Sequence, residues 1–431
     1  HTPTLPGPIE PERTAVPPHP PLCDVIIVGA GPGGSAAAHV LAQQGLDVLL
    51  LDKADFPRDK TCGDALTPRA LAVLADMGLL DDMERVGRRI HYVDIFAPQG
   101  HAVTTPIPKK DGLPGYALIV PRLILDNALR ERAIASGAKF ESPVHVTAAA
   151  PFSERGKESG VIIQGEQRGQ AVVFQARAAL IATGASTGLL VRMGLLRQAP
   201  PVTLAARAYL EGIADLSDHM HIRFDGVPLP GYGWVFPLSD SAANVGAGFL
   251  RAGPATRHLP GTPRAAFEAF VQTAPLRRML AGAHSAGPVK SYPIRMDFAT
   301  APTFGERTLL IGEAAGLVNP LTGEGIDYAL ESGRLAAWHL AGALARGDLT
   351  RADLEAYDGL LRQRFQRLFI FCNRLRDLFL NPLWLNRMVS AAAQRPDLKL
   401  LLTDIVLGNR DVAEGMSVRV VLKTLLALLL R

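Results

Sequence analysis

The sequence predicts an α/β fold that carries an inserted antiparallel α+β region and ends in a helical C-terminal region. Three observations predict it. Residues 23–52 show the strand, glycine turn, helix and strand of a βαβ unit. Between about 200 and 300, short extended runs alternate with Gly/Pro turns, and from about 325 onward the pattern is helical. At 431 residues, the chain is long enough for two interleaved domains.

Composition narrows the class of protein. Hydrophobic residues make up 48% of the chain and charged residues 20%, which excludes wholesale disorder. The formal charge is only +4 and no five like charges follow one another, which excludes a nucleic-acid binder.

The three cysteines, Cys23, Cys62 and Cys372, are widely spaced, which favours a reducing, cytoplasmic compartment over a disulfide framework or a metal site. No apolar run is long enough to span a bilayer, and the proline-rich residues 1–21 predict a disordered leader.

The βαβ unit contains the first motif. Cys23–Val28 and Asp47–Leu51 are apolar runs typical of buried parallel strands, and Ser35–Gln44 is a predicted helix. The turn after the first strand is Gly29-Ala30-Gly31-Pro32-Gly33-Gly34, whose glycines permit a tight turn, close approach of a pyrophosphate and close helix packing. Asp52 ends the second strand, where a carboxylate accepts ribose hydroxyls. Together these features predict a dinucleotide site rather than an ordinary glycine turn.

Further elements follow along the chain. Thr67–Met77 and Pro121–Ser136 are predicted helices, Val161–Gln164 and Ala171–Gln175 a hairpin, and Ala179–Ala182 a short buried strand. The predicted strands of the inserted region are Thr203–Leu210, His221–Phe224, Trp234–Pro237 and Asn244–Phe249. Thr308–Ile311 returns to the buried parallel type.

A second glycine motif follows that last strand. It consists of Gly312-Glu313-Ala314-Ala315-Gly316, then Pro320, Gly323, Glu324, Gly325 and Ile326. A long predicted helix begins near Gly325, and backbone amides at its start can contact an anionic ligand group. A structural helix cap is the alternative, but two nucleotide-type turns in one chain favour a shared ligand.

At these two motifs the sequence resembles the p-hydroxybenzoate hydroxylase group of flavoproteins. The resemblance implies a Rossmann-like FAD-binding domain made of residues 22–90, 116–195 and 301–345. It implies a substrate-binding domain made of 91–115 and 196–300, and a C-terminal helical region, 346–431. Arg122 matches the group's FAD-contacting arginine, Val146 matches the strand position beside the adenine, and Glu313 replaces an aspartate.

The same resemblance implies a set of FAD-binding residues. They are Gly29, Gly31, Pro32, Gly33, Gly34, Ser35, Asp52, Lys53, Cys62, Gly63, Arg122, Val146, Gly184, Gly312, Glu313, Pro320, Gly323, Gly325 and Ile326. The group's middle Gly-Ala-Asp-Gly motif is present only as Ala182-Thr183-Gly184-Ala185-Ser186, without the aspartate. No dedicated NAD(P)H motif is therefore predicted.

Two further stretches resemble the geranylgeranyl reductase family. One is Lys53–Leu66, which contains Phe56-Pro57-Arg58, Lys60, Cys62 and Gly63, and the other is Gly231-Tyr232-Gly233-Trp234-Val235-Phe236-Pro237. Cys62 is the candidate catalytic residue, because a thiol beside a flavin can deliver a proton, although an inert buried cysteine is the alternative. Tyr232, Trp234 and Phe236 alternate along a strand, so they share one face and are candidates for an apolar substrate wall or for plain core.

The family resemblance implies an FAD-dependent reductase that saturates carbon–carbon double bonds of an isoprenoid chain, with NADPH or ferredoxin as electron donor. One alternative is an FAD-dependent monooxygenase acting on an apolar substrate, since the same FAD site serves both chemistries. Another is a lipid-binding flavoprotein without catalysis. The apolar segment Val420–Leu430 predicts either peripheral membrane contact or a terminal core helix.

Overall fold

We describe a computed structural model of the protein, which covers residues 22–110, 112–153, 159–250, 262–379 and 381–407. The leader and the segment Val420–Leu430 lie outside these described residues. The architecture is the predicted α/β class, with a mixed sheet at the first glycine turn and a second sheet formed mainly by residues 203–294. Among the described residues, none of the helices combines the length and the apolar character needed to cross a membrane.

The elements run in the following order. Up to residue 106 they are β1 (Leu22–Val28), α1 (Pro32–Gln43), β2 (Val48–Leu51), β3 (Ala65–Leu66), α2 (Pro68–Asp76), α3 (Leu80–Val86), β4 (Arg88–Ile90), β5 (Tyr92–Phe96) and β6 (Ala102–Pro106). Next come β7 (Ala117–Ile119), α4 (Arg122–Ala135), β8 (Lys139–Glu141), β9 (His145–Phe152), β10 (Gly160–Gln167), β11 (Gln170–Ile181), α5 (Gly188–Arg192), β12 (Thr203–Glu211) and β13 (His219–Arg223). Then follow β14 (Gly231–Pro237), β15 (Ala242–Leu250), α6 (Pro263–Val271), α7 (Ala274–Met279), β16 (His284–Ser285), β17 (Lys290–Ile294), β18 (Phe304–Gly305) and β19 (Thr308–Leu310). The remaining helices are α8 (Ile326–Arg346), α9 (Arg351–Leu361), α10 (Arg367–Phe379), α11 (Pro382–Gln394) and α12 (Pro396–Val406).

The first sheet has the strand order β18-β19-β11-β1-β2-β8. β1 lies between β2 and β11 and is parallel to both, as the βαβ prediction requires. β2 is buried along its whole length, which explains its continuous Val-Leu-Leu-Leu sequence. The predicted hairpin is present as β10 and β11. The buried strand predicted at Ala179–Ala182 is present as the end of β11, which runs unbroken to Ile181 and pairs first with β10 and then with β1.

Helices α1 and α8 pack almost backbone to backbone. A Cβ atom at Gly33 would lie 2.9 Å from the carbonyl oxygen of Ala329, and one at Gly333 would lie 2.3 Å from that of Gly33. Because neither glycine has a side chain, the two helices approach closely enough to bring the first glycine turn beside the start of α8. This contact joins two motifs that are far apart in the sequence.

The second sheet contains the predicted antiparallel strands, with the order β16-β12-β15-β14-β13-β5-β6 and with β17 beside β12. One pair differs from the prediction, because β13 and β5 are parallel. Helix α6 packs on one face through Phe267 and Phe270. On the other face, Val389 of α11 and Leu402 of α12 belong to the same apolar cluster as Trp234. The C-terminal helices therefore pack at the β6 edge of the sheet, in one apolar cluster with residues of the aromatic strand.

Candidate active site

One cavity of about 620 Å³ brings the predicted site residues together. This volume lies within the range of pockets that hold small molecules and cofactors. The predicted residues that line it are Gly29, Gly31, Pro32, Gly33, Asp52, Lys53, Cys62, Gly63, Arg122, Val146, Gly184, Tyr232, Trp234, Phe236, Gly312, Glu313, Pro320, Gly323, Gly325 and Ile326. Gly34 and Ser35 do not line it. They support the turn from behind, since the Ser35 hydroxyl donates to the carbonyl oxygen of Ala30 at 3.1 Å.

The first glycine turn leaves the N-terminus of α1 open to the cavity. Gly29 has φ +111°, and a Cβ there would lie 2.3 Å from the carbonyl oxygen of Ala182. A Cβ at Gly31 would instead meet only the Arg58 guanidinium, at 3.7 Å. Helix α1 has no side-chain cap and no acidic residue in its first turn. Its first amides are therefore available to an anion.

Two carboxylates and two guanidinium groups surround this turn. Asp52 accepts a hydrogen bond from the amide of Ala30 at 2.8 Å, so its carboxylate also holds the turn in place. Arg58 lies 3.4 Å from Asp52 and 3.0 Å from Asp126. The Arg122 guanidinium donates two hydrogen bonds, of 2.6 and 2.8 Å, to the Asp126 carboxylate. The charges are balanced in pairs, and Arg122 is buried, which leaves the helix N-terminus and the partly exposed Arg58 guanidinium to attract an anionic ligand.

The second glycine motif differs from its prediction in one respect. The amides of Ile326 and Asp327, at the start of α8, donate to the Glu324 carboxylate at 2.7 and 3.4 Å. These amides were expected to face an anionic ligand, and Glu324 accepts them instead. Burial, together with the neighbouring Asp327, raises the pKa of Glu324 to about 8. Glu313 accepts from the backbone amide of Arg295 at 3.0 Å, with its other oxygen 3.7 Å from Lys60.

The aromatic residues of β14 share one face, as predicted. The ring centroids of Tyr232 and Trp234 are 5.9 Å apart, and those of Trp234 and Phe236 are 6.2 Å apart. The hydroxyl of Tyr232 donates to the carbonyl oxygen of Thr322, in the second glycine motif. A Cβ at Gly63 would lie 2.9 Å from the ring of Phe236. The aromatic row therefore packs directly against the loop that carries Cys62.

Cys62 is the one of the three cysteines that is partly accessible, and it lines the cavity. Burial raises the pKa of its thiol, whereas the adjacent Arg122 lowers it. Cys23 and Cys372 are buried, and burial raises the pKa of each to about 12. At neutral pH the Cys62 thiol is therefore protonated, which suits a proton donor better than a nucleophile.

Several residues of the site were not predicted from the sequence. Asp64 and Asn244 are buried, and together with the half-buried Tyr209 they form a hydrogen-bonded group beside Cys62. Asp64 stands two residues after Cys62, inside a stretch that the resemblance already marked. Asn244 gave no signal, because it is the lone polar residue of an otherwise apolar strand. Tyr209 gave none, because its partner Asp64 lies 145 residues away along the chain.

Comparisons with known proteins agree with this geometry. A family model described as an FAD binding domain matches residues 22–182. The menaquinone reductase of Mycobacterium tuberculosis is 36% identical over 373 residues, covering 84% of this chain and 85% of that protein. A digeranylgeranylglycerophospholipid reductase of Methanopyrus kandleri is 31% identical over 357 residues, covering 80% of this chain and 88% of that protein. A solved structure, a geranylgeranyl bacteriochlorophyll reductase-like protein from Thermoplasma acidophilum, superposes with a TM-score of 0.77 at 22% identity over 94% of this chain and 99% of that one.

The fold, the domain match and the reductase relatives define the protein as an FAD-dependent oxidoreductase. Within that class, the chain belongs to the geranylgeranyl reductase family. The cavity itself fits FAD on two independent observations. The helix N-terminus at Gly31 is uncapped and open, and both glycine turns line one continuous space.

Proposed function

We propose that the protein uses FAD to saturate carbon–carbon double bonds of an isoprenoid chain. The observation that carries the proposal is that Tyr232, Trp234 and Phe236 line the same cavity as both glycine turns. An aromatic wall offers apolar contact but few hydrogen bonds, which suits an alkene chain better than a polar substrate. The reductase relatives support the same class of substrate, since a menaquinone and a digeranylgeranylglycerophospholipid both carry isoprenoid chains.

In this proposal, the open end of α1 and the guanidinium groups of Arg58 and Arg122 hold the pyrophosphate of FAD. Asp52 would hold the ribose. Glu313 and the backbone around Gly312 would hold the ribityl segment of FAD, which lies between the pyrophosphate and the flavin ring. When bound and reduced, FAD supplies the hydride that adds to one carbon of the double bond.

The residues of the chain supply the rest of the reaction. The aromatic row and the apolar helices behind it exclude water and hold the alkene in one orientation, which matters because an isolated double bond has no polar group to bind. The Cys62 thiol donates the proton that the second alkene carbon requires. The product would thus gain two hydrogen atoms, one from the hydride of the reduced cofactor and one from the thiol.

NADPH or ferredoxin then returns electrons to FAD. The chain works at a membrane surface as a peripheral protein, because a long isoprenoid lipid dissolves there rather than in water. The electron donor is tested by mixing the flavin-loaded protein with NADPH or with reduced ferredoxin and following reduction of the flavin. The membrane contact is tested by flotation of the protein with lipid vesicles.

Anaerobic turnover tests the proposal. Chemically reduced protein is mixed without oxygen with a menaquinone or with a digeranylgeranyl glycerolipid. Any quinol is then reoxidised to the quinone, and the masses of the lipids are measured by mass spectrometry. We expect a gain of two hydrogen atoms for each saturated carbon–carbon bond, and no such gain with free reduced FAD alone. A product that forms only after oxygen is admitted, and that carries an added oxygen atom, would identify a monooxygenase instead.

A further inference from the structure

Asn244 connects the aromatic strand with the loop that carries Cys62. Its side-chain oxygen accepts from the indole nitrogen of Trp234 at 2.9 Å. Its side-chain nitrogen donates to the carbonyl oxygen of Cys62 at 2.7 Å and to the Asp64 carboxylate at 2.8 Å. Asn244 is fully buried, and it lies 182 residues from Cys62 along the chain. One amide thus links two distant parts of the cavity wall.

The orientation of this amide is fixed by its partners. An indole N–H can only donate, whereas a carbonyl oxygen and an ionised carboxylate can only accept. The three partners therefore place the oxygen of Asn244 toward Trp234 and its nitrogen toward Cys62 and Asp64. Both amide hydrogens are used and the oxygen is paired. Among the common side chains of this size, only an amide offers an acceptor on one side and two donors on the other.

Asp64 supports the arrangement from the loop side. Its backbone has φ +65°, a left-handed conformation that aspartate tolerates better than most residues. Its carboxylate also accepts from the hydroxyl of Tyr209 at 2.7 Å and from the backbone amide of Arg122 at 3.3 Å. Both Asp64 and Asn244 are inaccessible to solvent. A buried group with this many partners has little freedom to rearrange.

Two glycines leave room for the indole ring of Trp234 beside the Asn244 amide. Gly246 lies opposite Trp234 on the neighbouring strand β15, and a Cβ there would lie 2.1 Å from the indole ring. A Cβ at Gly63 would lie 3.6 Å from the indole nitrogen. The ring therefore rests on a strand that lacks a side chain at this point, with its N–H directed at Asn244.

We infer that Asn244 is a positioning residue, whose amide holds the Cys62 loop and the Trp234 wall in one fixed relation. The inference rests on the proposed function, in which the thiol and the wall meet the two sides of the same double bond. Loss of the amide leaves the Cys62 carbonyl and the indole without their partners and releases the loop. The thiol then samples positions from which proton transfer to the substrate fails.

The test is the rate at which iodoacetamide alkylates each cysteine in the full-length protein with its flavin, measured by peptide mass spectrometry. Asn244→Asp keeps an acceptor for Trp234 but removes the hydrogen bond donated to the Cys62 carbonyl oxygen, because the new carboxyl group shares its proton with the neighbouring Asp64. It is compared with wild type above the pKa of Asp64, which burial raises to about 6. We expect Cys62 to react at least about ten-fold faster, as the loss of one buried hydrogen bond to the loop implies. The buried Cys23 and Cys372 should remain protected, which distinguishes a released loop from an unfolded chain.

The matched control is Asn386→Asp. Asn386 is also a buried amide with two backbone partners, Gln99 at 2.9 Å and Pro382 at 2.7 Å, but it does not line the cavity. It should leave the Cys62 rate unchanged. Should Asn244→Asp expose all three cysteines, Trp234→Phe decides, because it deletes the indole donor and keeps an aromatic ring. That variant should also speed alkylation of Cys62 alone.

An unchanged Cys62 rate in a folded Asn244→Asp or Trp234→Phe variant would overturn the inference. The kinetic counterpart is a lower kcat for alkene reduction at unchanged KM and unchanged FAD affinity. Because alkylation requires no substrate, a protein that fails to reduce alkenes still reports on the position of the loop. A failure of the proposed function is in this way separate from a failure of the inference.

Discussion

Adding a single methyl group at Gly31 should weaken FAD binding without changing the stability of the folded protein. Gly31 has φ −74° and ψ −173°, an extended conformation open to any residue. Its Cβ would meet only the Arg58 guanidinium, at an ordinary contact distance of 3.7 Å. Gly31→Ala should therefore change the free energy of unfolding of the FAD-free protein by less than about 0.5 kcal/mol, as at other sites without a clash.

The effect on FAD follows from the same geometry. The methyl group adds about 1.5 Å of carbon between the backbone and the pyrophosphate. A hydrogen bond of about 2.9 Å from an α1 amide then lengthens beyond bonding range. Loss of one hydrogen bond to a charged group costs about 1.5 to 3 kcal/mol. FAD should therefore bind roughly ten-fold to a hundred-fold more weakly.

The assay is a fluorescence titration of FAD-free protein with FAD, alongside urea unfolding of the same variant. Gly287→Ala is the matched control, since it adds the same methyl where no other atom lies within 4 Å and outside the cavity. It should alter neither quantity. Gly29→Ala, at φ +111° and 2.3 Å from a carbonyl oxygen, should instead destabilise the fold itself. A folded Gly31→Ala variant that binds FAD as tightly as wild type would refute the assignment of this turn.

Three further predictions follow from the structure. Cys62→Ala should slow alkene reduction at least ten-fold while leaving bound FAD and its absorption unchanged, because a proton donor contributes roughly that much or more; equal turnover would remove the thiol from the mechanism. Gly333→Ala should lower the free energy of unfolding by about 1 to 3 kcal/mol, since its Cβ would lie 2.3 Å from the carbonyl oxygen of Gly33. Gly359→Ala, in α9 with no atom within 4 Å, should instead leave the free energy of unfolding unchanged or raise it by up to about 1 kcal/mol. Urea unfolding that finds Gly333→Ala more stable than Gly359→Ala would contradict this packing. Burial raises the pKa of Asp64 from 3.8 to about 6, so the folded state binds a proton there that the unfolded chain has released, and stability falls as pH rises through this window; Asp64→Asn should flatten that part of the unfolding profile, and an identical slope would show that Asp64 is not the group responsible.

The sequence was sufficient for the parts of the site that depend on local backbone geometry. Gly29 has a positive φ that few other residues can adopt, and Gly31 leaves space in front of α1, so their spacing predicts both the turn and the open helix end. The alternation of Tyr232, Trp234 and Phe236 predicts a shared face, because side chains on a strand alternate. Whether these residues bind FAD and substrate remains a prediction that the experiments above address.

The remaining features depend on contacts between distant segments. Nothing around Gly333 indicates that it packs against Gly33, because the requirement arises only when α1 and α8 meet. Asn244 is an unremarked polar residue in an apolar strand until the fold places it beside Cys62. The capping of α8 by Glu324 was missed for a different reason: the carboxylate competes locally for amides that the motif otherwise leaves free.

The most direct test of the proposed reaction is an anaerobic single turnover followed in a stopped-flow spectrophotometer. Protein with fully reduced FAD is mixed with an isoprenoid lipid, and the return of oxidised flavin absorbance is compared with the amount of saturated product. We predict one flavin reoxidised for each double bond saturated, with no oxygen present. Flavin that stays reduced in the presence of each isoprenoid lipid, and reoxidises only when oxygen is admitted, would contradict it.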